Sequence, residues 1–151
     1  MTLSTIERVL FLKGAELFSQ IASEDLVPVA NVAQEVYYKA GETLIQQGEM
    51  GDCLYLIVDG EVKIVIRGLG PVATRHPRNA IGEMSIISRQ PRSADCVATT
   101  DLTVLKISHD DFHDLLSERP PLALGVINVL AHRYYEAVAN LQRLGYKQGD
   151  G

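Results

Sequence analysis

Residues 53 to 67 read CLYLIVDGEVKIVIR, two apolar runs parted at Asp59 and Gly60. The second run alternates: Val62, Ile64 and Ile66 fall on one face of an extended chain, with Lys63 and Arg67 on the other, the pattern of a half-buried strand. Outward from it, glycines at 41, 48, 51, 60, 68, 70 and 82 separate further short runs, and strand-like texture resumes at DCVATT (95–100) and LTVLKI (102–107). About eight short strands joined by tight turns make a sandwich or jelly roll. The expected fold class is α+β and mainly β: an eight-stranded double-stranded β-helix, or jelly-roll barrel, over residues 35–107, with helices on either side.

The flanks read as helices. Ser4 with Glu7 three residues later is a capping box, followed by the short apolar face Ile6, Val9 and Leu10. Ser23, with Glu24 and Asp25 behind it, marks a second helix start whose stripe is Leu26, Val29, Ala30 and Ala33. Residues 1–34 therefore form an N-terminal helical segment. After the strands, Ser108 with Asp111 opens a helix carrying Phe112, Leu115 and Leu116 that must stop by Pro120, and Pro121 suits the first turn of a longer one. In that last helix Ala123, Ile127, Leu130, Tyr134, Ala137, Leu141 and Leu144 recur at spacings of four and three, a heptad seam. Leu122, Val126 and Val129 add a second apolar face in the first half only. The first half is expected to lie against the barrel and the second to offer its stripe to a partner helix; the alternative is that all of it packs on its own domain. Helices then fill 108–145.

A chain of 151 residues is the size of one domain, 1–151, large enough for its own core. Its net charge of −5 argues against a surface built to neutralise nucleic-acid phosphates or to dock on anionic lipid. Cys53 and Cys96 each sit in an apolar stretch and read as buried thiols, which points to a reducing, cytoplasmic setting. The opening MTLSTIERVLFLKG has no basic, long-apolar, small-residue sequence of a leader, and no run reaches the length of a membrane span.

Residues 82–94, GEMSIISRQPRSA, interrupt the strands. Glu83 and Arg92 lie nine positions apart, so either something sits between them or they pair. Gly82 frees the backbone to turn, and GEMSII can form one helical turn whose leading N–H groups suit an anion. Arg92, placed by Pro91, offers a planar guanidinium fork matched to phosphate oxygens. Ser93 and Ala94 are small enough for close approach, and the Ser93 hydroxyl adds a donor or acceptor. A carboxylate repels phosphate, so Glu83 suits the hydroxyls of an adjoining sugar. Together these describe a cradle for a nucleotide monophosphate. Ser85 is the better ligand contact of the two serines that follow, Ser88 the better turn cap.

The stretch GEMSIISRQPRSA resembles the phosphate-binding cassette of cyclic nucleotide-binding domains, the superfamily of cyclic-AMP receptors and protein kinase regulatory subunits. LFSQIASEDLVPVA is similar to that family's N-terminal helical segment, YKAGETLIQQGEMGDCLYLIVDGEVKI to its leading strands, and ISHDDFHDLL to the helix after the barrel. The resemblance implies a 3′,5′-cyclic nucleotide inside the barrel, Glu83 on the ribose 2′-hydroxyl, Arg92 on the exocyclic phosphate oxygens, and backbone groups near Gly82, Met84, Ser85 and Ala94 completing the site. It also implies a regulatory sensor, not an enzyme, with no cofactor beyond its ligand, whose last helix moves on binding. Cyclic AMP is favoured over cyclic GMP. Arg133 or Tyr134 would cover or bond the purine from the last helix. A homodimer through that helix is the partnership its stripe allows.

Two departures stand out. Ile81 replaces the aromatic residue usual before Gly82, and Asp95 places a carboxylate after Ala94 where it would weaken binding if it faced inward. They keep open a degenerate module that binds nothing and serves in dimerisation or docking. A cupin-like metal enzyme needs histidines on barrel strands, whereas His109, His113 and His132 fall on helices, and the pair His109 and His113 lacks a third ligand. No metal is expected. A helix-turn-helix would need further chain after the long helix, so no nucleic-acid or membrane contact is expected of a sequence running to KQGDG.

Overall fold

The computed structural model describes residues 2–145. Their strands are β1 (Gln34–Tyr38), β2 (Thr43–Ile45), β3 (Cys53–Asp59), β4 (Val62–Ile66), β5 (Gly70–Arg75), β6 (Ala80–Ile81), β7 (Asp95–Ala98) and β8 (Leu102–Ser108). They form two four-stranded antiparallel sheets, in the orders β1-β8-β3-β6 and β2-β7-β4-β5. This is the jelly roll expected from the spacing of the runs.

The sheets differ in what covers them, and that explains the unlike texture of the two runs in residues 53–67. From β3, Cys53, Tyr55 and Ile57 enter the core between the sheets with Ile45, Val62, Cys96 and Val104. Leu54 and Leu56 turn the other way, into a second core with the helices. Both faces of β3 are covered, so its run is continuously apolar. On β4 only Val62 is fully buried; on the same face Ile64 borders an open cavity and, like Ile66, is partly exposed, and the alternating Lys63 lies on the other face.

The helical core gathers α1 (Thr5–Gly14), a 3-10 turn at Glu16–Phe18, α2 (Ser23–Val32) and α3 (His109–Glu118) around Phe18 and Phe112, whose rings meet edge to face at 5.7 Å. The Ser4 capping box is formed as predicted, and Ser108 caps α3 through the Asp111 N–H. The cap of α2 differs from expectation. Ala22 is the N-cap, with no side-chain bond, and Ser23 is already helical, while Glu24 and Asp25 occupy the first turn. Extended backbone at Ala22 starts the helix one residue early.

The first half of the last helix, α4 (Pro120–Arg143), packs mainly on the N-terminal segment and α3, with Leu122, Val126 and Val129 buried, and Leu122 and Val126 share one core with Leu54, Leu56, Leu105 and Ile107 of β3 and β8. Gly125 permits this seat, since a Cβ there would stand 2.5 Å from Cγ1 of Ile21. The second half leaves Tyr134, Leu141 and Leu144 exposed, and Ile127 is exposed as well. No helix among the described residues is long and apolar enough to cross a membrane.

A polar clamp joins the two ends of this arrangement. The Glu35 side chain, 6% exposed, accepts from the Tyr37 hydroxyl (2.6 Å), the Leu3 N–H (2.5 Å) and Arg8 (3.2 Å). Arg8 in turn bonds the carbonyls of Ala30 and Ala33. The Tyr37 hydroxyl, against the opposing effect of burial and aided by Leu3 and Arg8, holds the Glu35 carboxyl below its usual range. Its stabilisation is therefore full above the ordinary carboxylate value of about 4.3 and lost as pH falls through the lower folded value. Glu35→Gln is expected to cost on the order of 1–3 kcal/mol at pH 7, and melting curves of variant and parent should converge as the pH drops below about 4.

Candidate functional site

Strand β6 pairs with β3, Ala80 opposite Leu56 and Ile81 opposite Tyr55, so the chain leaves the sheet at its edge directly into Gly82. There the backbone is left-handed, φ 68° and ψ 29°, a conformation that costs a side-chain-bearing residue. A 3-10 turn, Glu83–Ile86, follows, its first bond running from the Ser85 N–H to the Gly82 carbonyl (3.0 Å). This is the single turn predicted from GEMSII. The chain returns at Arg92, whose N–H donates to the Glu49 carbonyl (2.7 Å) and whose carbonyl accepts from the Gly48 N–H (2.9 Å).

With its backbone fixed on both sides, Arg92 extends its side chain back under the turn. Nη1 donates to Ser85 Oγ (3.0 Å), and Nη2 to the Cys53 carbonyl (2.8 Å), with Cys53 Sγ 3.5 Å away. Nη2 meets both Cys53 acceptors, whereas Nη1 keeps a second hydrogen for another acceptor. A Cβ on Gly82 would lie 1.9 Å from Arg92 Nη1, and one on Gly51 would lie 2.4 Å from Ser85 Oγ and 3.0 Å from Arg92 Nε. Two glycines thus leave the room in which the guanidinium lies.

Gly82, Glu83, Met84 and Ser85 on one side and Arg92, Ser93 and Ala94 on the other line one cavity of about 360 Å³. The structure brings the seven predicted cassette residues together, while Arg133 and Tyr134, predicted as contacts to the base, do not line the cavity. The rest of the wall is largely aliphatic, from Ile45, Ile64, Ala80 and Ile81, with Cys96 beside them. Burial pushes the Cys96 thiol up to about 11, so it faces the cavity as a neutral group.

Glu83 and Arg92 do not pair. Glu83 Oε1 instead meets Arg133 Nη2 of α4 at 2.7 Å, and Arg133 Nε meets Glu16 Oε1 at 2.5 Å. One cation thereby ties the N-terminal segment, the cassette turn and the last helix. Arg133 reaches the site through Glu83; Tyr134 does not reach it, being 66% exposed and packed edge to face on Tyr135. Asp95, the residue whose inward carboxylate would have opposed an anion, is held away from the cavity by both Arg67 (3.1 Å) and the Gln47 N–H (2.7 Å). The Arg67 guanidinium, with help from Gln47, keeps the Asp95 carboxyl below its usual range.

Sequence reasoning missed Gly51, the Cys53 carbonyl and Arg75. Gly51 appeared only as a turn glycine, a main-chain acceptor has no sequence signature, and Arg75 required the strand register. His109 and His113 stack at 3.9 Å, with His113 Nε2 on the Ile87 carbonyl and His109 Nδ1 on Asp110. Among the described residues no group of three or more histidine, cysteine or acidic side chains is placed to hold a metal.

The sequence pattern of the family called cyclic nucleotide-binding domain matches residues 35–119. A cyclic AMP receptor protein of Thermus thermophilus is 30% identical over 141 residues, covering 91% of this chain and 65% of that protein. A cAMP-dependent protein kinase regulatory subunit of Aspergillus niger is 34% identical over 107 residues, 70% of this chain and 26% of that one. This chain therefore spans just under two thirds of the first relative and about a quarter of the second. Among solved structures, the N-terminal domain of a transcriptional regulator from Streptomyces coelicolor A3(2) is similar with a TM-score of 0.81 at 28% identity, covering 87% of this chain and 94% of that one. The family match takes in the cassette, its Gly82 turn and the strands that wall the cavity, and the chain belongs to the cyclic nucleotide-binding domain family.

Proposed function

We propose that the protein is a cytoplasmic, non-catalytic sensor of a 3′,5′-cyclic nucleotide. The observation that carries this reading is the single cavity in which the cassette residues converge, with Arg92 under the turn and Glu83 apart from it. The ligand phosphate takes the remaining N–H groups of Arg92, with Ser93 and main-chain groups around Ser85 and Ala94 beside it. The ribose 2′-hydroxyl donates to Glu83, and the base lies along the aliphatic wall. Cyclic AMP, named for both relatives, stands first among the ligands, with cyclic GMP as comparator. Asp95, one of the two departures that would favour a module without ligand, is tied to Arg67 and Gln47.

Signal passes to α4 through Glu83. Arg133 shares that carboxylate, so a ligand hydroxyl on Glu83 alters the partner set of a residue on the output helix. If the ligand binds one position of α4 better than another, the populations shift by that difference in affinity. The exposed stripe Ile127, Tyr134, Leu141 and Leu144 then carries the change to a second copy of the chain. The test is calorimetric titration of each nucleotide into ligand-stripped protein, with melting temperature alongside. Binding at micromolar concentration or tighter is expected; no heat and no gain in melting temperature at millimolar nucleotide would overturn the reading.

A further inference from the structure

The charge of the chain is unevenly spread. Residues 62–82 hold four of its fourteen lysines and arginines, Lys63, Arg67, Arg75 and Arg78, and none of its nineteen acids, so this stretch carries +4 and the rest of the chain −9. A cyclic nucleotide bears one negative charge on its phosphodiester, and a molecule with net charge −5 repels it at long range. The fold decides which of the four cations can oppose that repulsion at the site. Arg67 is bonded to Asp95, and Lys63 lies on the outer face of its sheet, opposite Thr74. Arg75, opposite Val62 in the same register, and Arg78 both line a polar cleft of about 350 Å³. The cleft shares Arg75, Ala80 and Glu83 with the ligand cavity, so it opens onto the cavity's edge.

Arg78 is held there against its own backbone preference. It takes the third position of the turn His76–Asn79, which closes with the Asn79 N–H on the His76 carbonyl (2.9 Å), and its φ is 76°. Glycine adopts this conformation freely, whereas it strains an L side chain. The Arg78 N–H donates to the Ile57 carbonyl (2.8 Å), pinning the turn to β3. Its stem crosses Gly14, where an added Cβ would meet Cδ at 3.5 Å and Cγ at 3.7 Å. Among the described residues neither Arg75 nor Arg78 forms an ion pair. The acids of the cleft, Glu16 and Glu83, are both bonded to Arg133. Counted with Arg92 inside the cavity, these six charged groups sum to +2, on a molecule of the opposite sign.

We propose that Arg78, with Arg75 in the same cleft, steers the anionic ligand to the cavity and raises its rate of association. Arg78 lines the cleft and not the cavity, so it acts on the approaching nucleotide and does not touch the bound one. Exposure suits the role, because the force is exerted through solvent, and a cleft with low-dielectric walls concentrates the field. The role also gives a reason for keeping a strained arginine where glycine fits without strain. This inference rests on the cavity being a cyclic-nucleotide site.

The experiment is stopped-flow binding of cyclic AMP carrying a fluorophore on its base to ligand-stripped wild type, Arg78→Gln, Arg78→Glu and Arg78→Lys. Ionic strength is varied from about 0.01 M to about 1 M, over which the Debye length falls from about 30 Å to about 3 Å. At the lowest salt the association rate constant is expected to drop about twofold to fivefold in Arg78→Gln and about fourfold to 25-fold in Arg78→Glu, with Arg78→Lys close to wild type. The dissociation rate constant should stay the same, and at the highest salt all four proteins should associate at one rate. Three outcomes overturn the proposal and leave the cyclic-nucleotide reading intact: unchanged association in Arg78→Glu at low salt, a loss carried by faster dissociation, or a difference that persists at high salt. A folded wild type that binds neither the labelled nucleotide nor unlabelled cyclic AMP or cyclic GMP would overturn both.

Discussion

Arg92→Ala lowers cyclic-nucleotide affinity by roughly 30-fold to a few thousandfold while the chain stays folded. The size follows from removing one partner of a desolvated, charge-assisted contact, which costs about 2–5 kcal/mol, each 1.4 kcal/mol being about tenfold. The guanidinium lies within the cavity, and its fork is held by Ser85 and Cys53 before any ligand arrives, so little ordering is lost on binding. Arg92→Lys is expected to fall between the two, retaining charge without the paired geometry. The alanine variant also leaves the Cys53 carbonyl and the Ser85 hydroxyl without their donor, at roughly 1–2 kcal/mol in all because the cavity admits water. Calorimetry gives the affinity and thermal unfolding gives the fold. Micromolar affinity retained in a well-folded Arg92→Ala protein would remove the phosphate role altogether.

Gly82→Ala should reproduce most of that loss without touching the arginine. Two costs combine at this position. A side chain at φ 68° carries about 1–2 kcal/mol of backbone strain, and its Cβ falls 1.9 Å from Arg92 Nη1. The guanidinium must shift, and the fork loses its alignment on the ligand. Binding is therefore expected to weaken by roughly tenfold to 100-fold, since even small misplacement of a positioned group is costly, with a melting temperature lowered by several degrees. Gly68→Ala, in the turn between β4 and β5, is the matched control: its φ of 84° is also left-handed, but nothing stands within 4 Å of an added Cβ. It should lose stability and keep its affinity. Equal affinities for Gly82→Ala and wild type would show that close packing under the turn does not hold Arg92 in place.

Features written in short-range pattern were legible in the sequence. The alternation after Gly60 announced β4, Ser4 with Glu7 announced the first cap, and GEMSIISRQPRSA announced a turn with a cation returning beneath it. What escaped depends on contacts between distant segments. Whether Arg75 faces inward is decided by its partner Val62 across the hairpin, and a shift of one residue would turn it to solvent. The seat of α4 on the N-terminal segment depends on Gly125 meeting Ile21, a contact no local periodicity encodes. The charge of Asp95 was plain from its letter, but its harmlessness to an anion depends on Arg67, 28 positions earlier. Likewise Glu83 and Arg92 suggested a pair by proximity, whereas the partner Glu83 takes is 50 residues further on, on the last helix.

That last ion pair bears on the order in which the molecule is made. Glu16, Glu83 and Arg133 converge from near the beginning, the middle and the end of the described chain, the outer two 117 positions apart. Contacts of such sequence separation form only after loop-closure entropy has been met by earlier pairings. During synthesis the cassette turn emerges well before Arg133, and until α4 leaves the ribosome Glu83 has no cation from that helix. Glu83 thus gains its cation from a helix translated about 50 residues after it, and on the proposed function a folded α4 becomes a condition of a finished binding site.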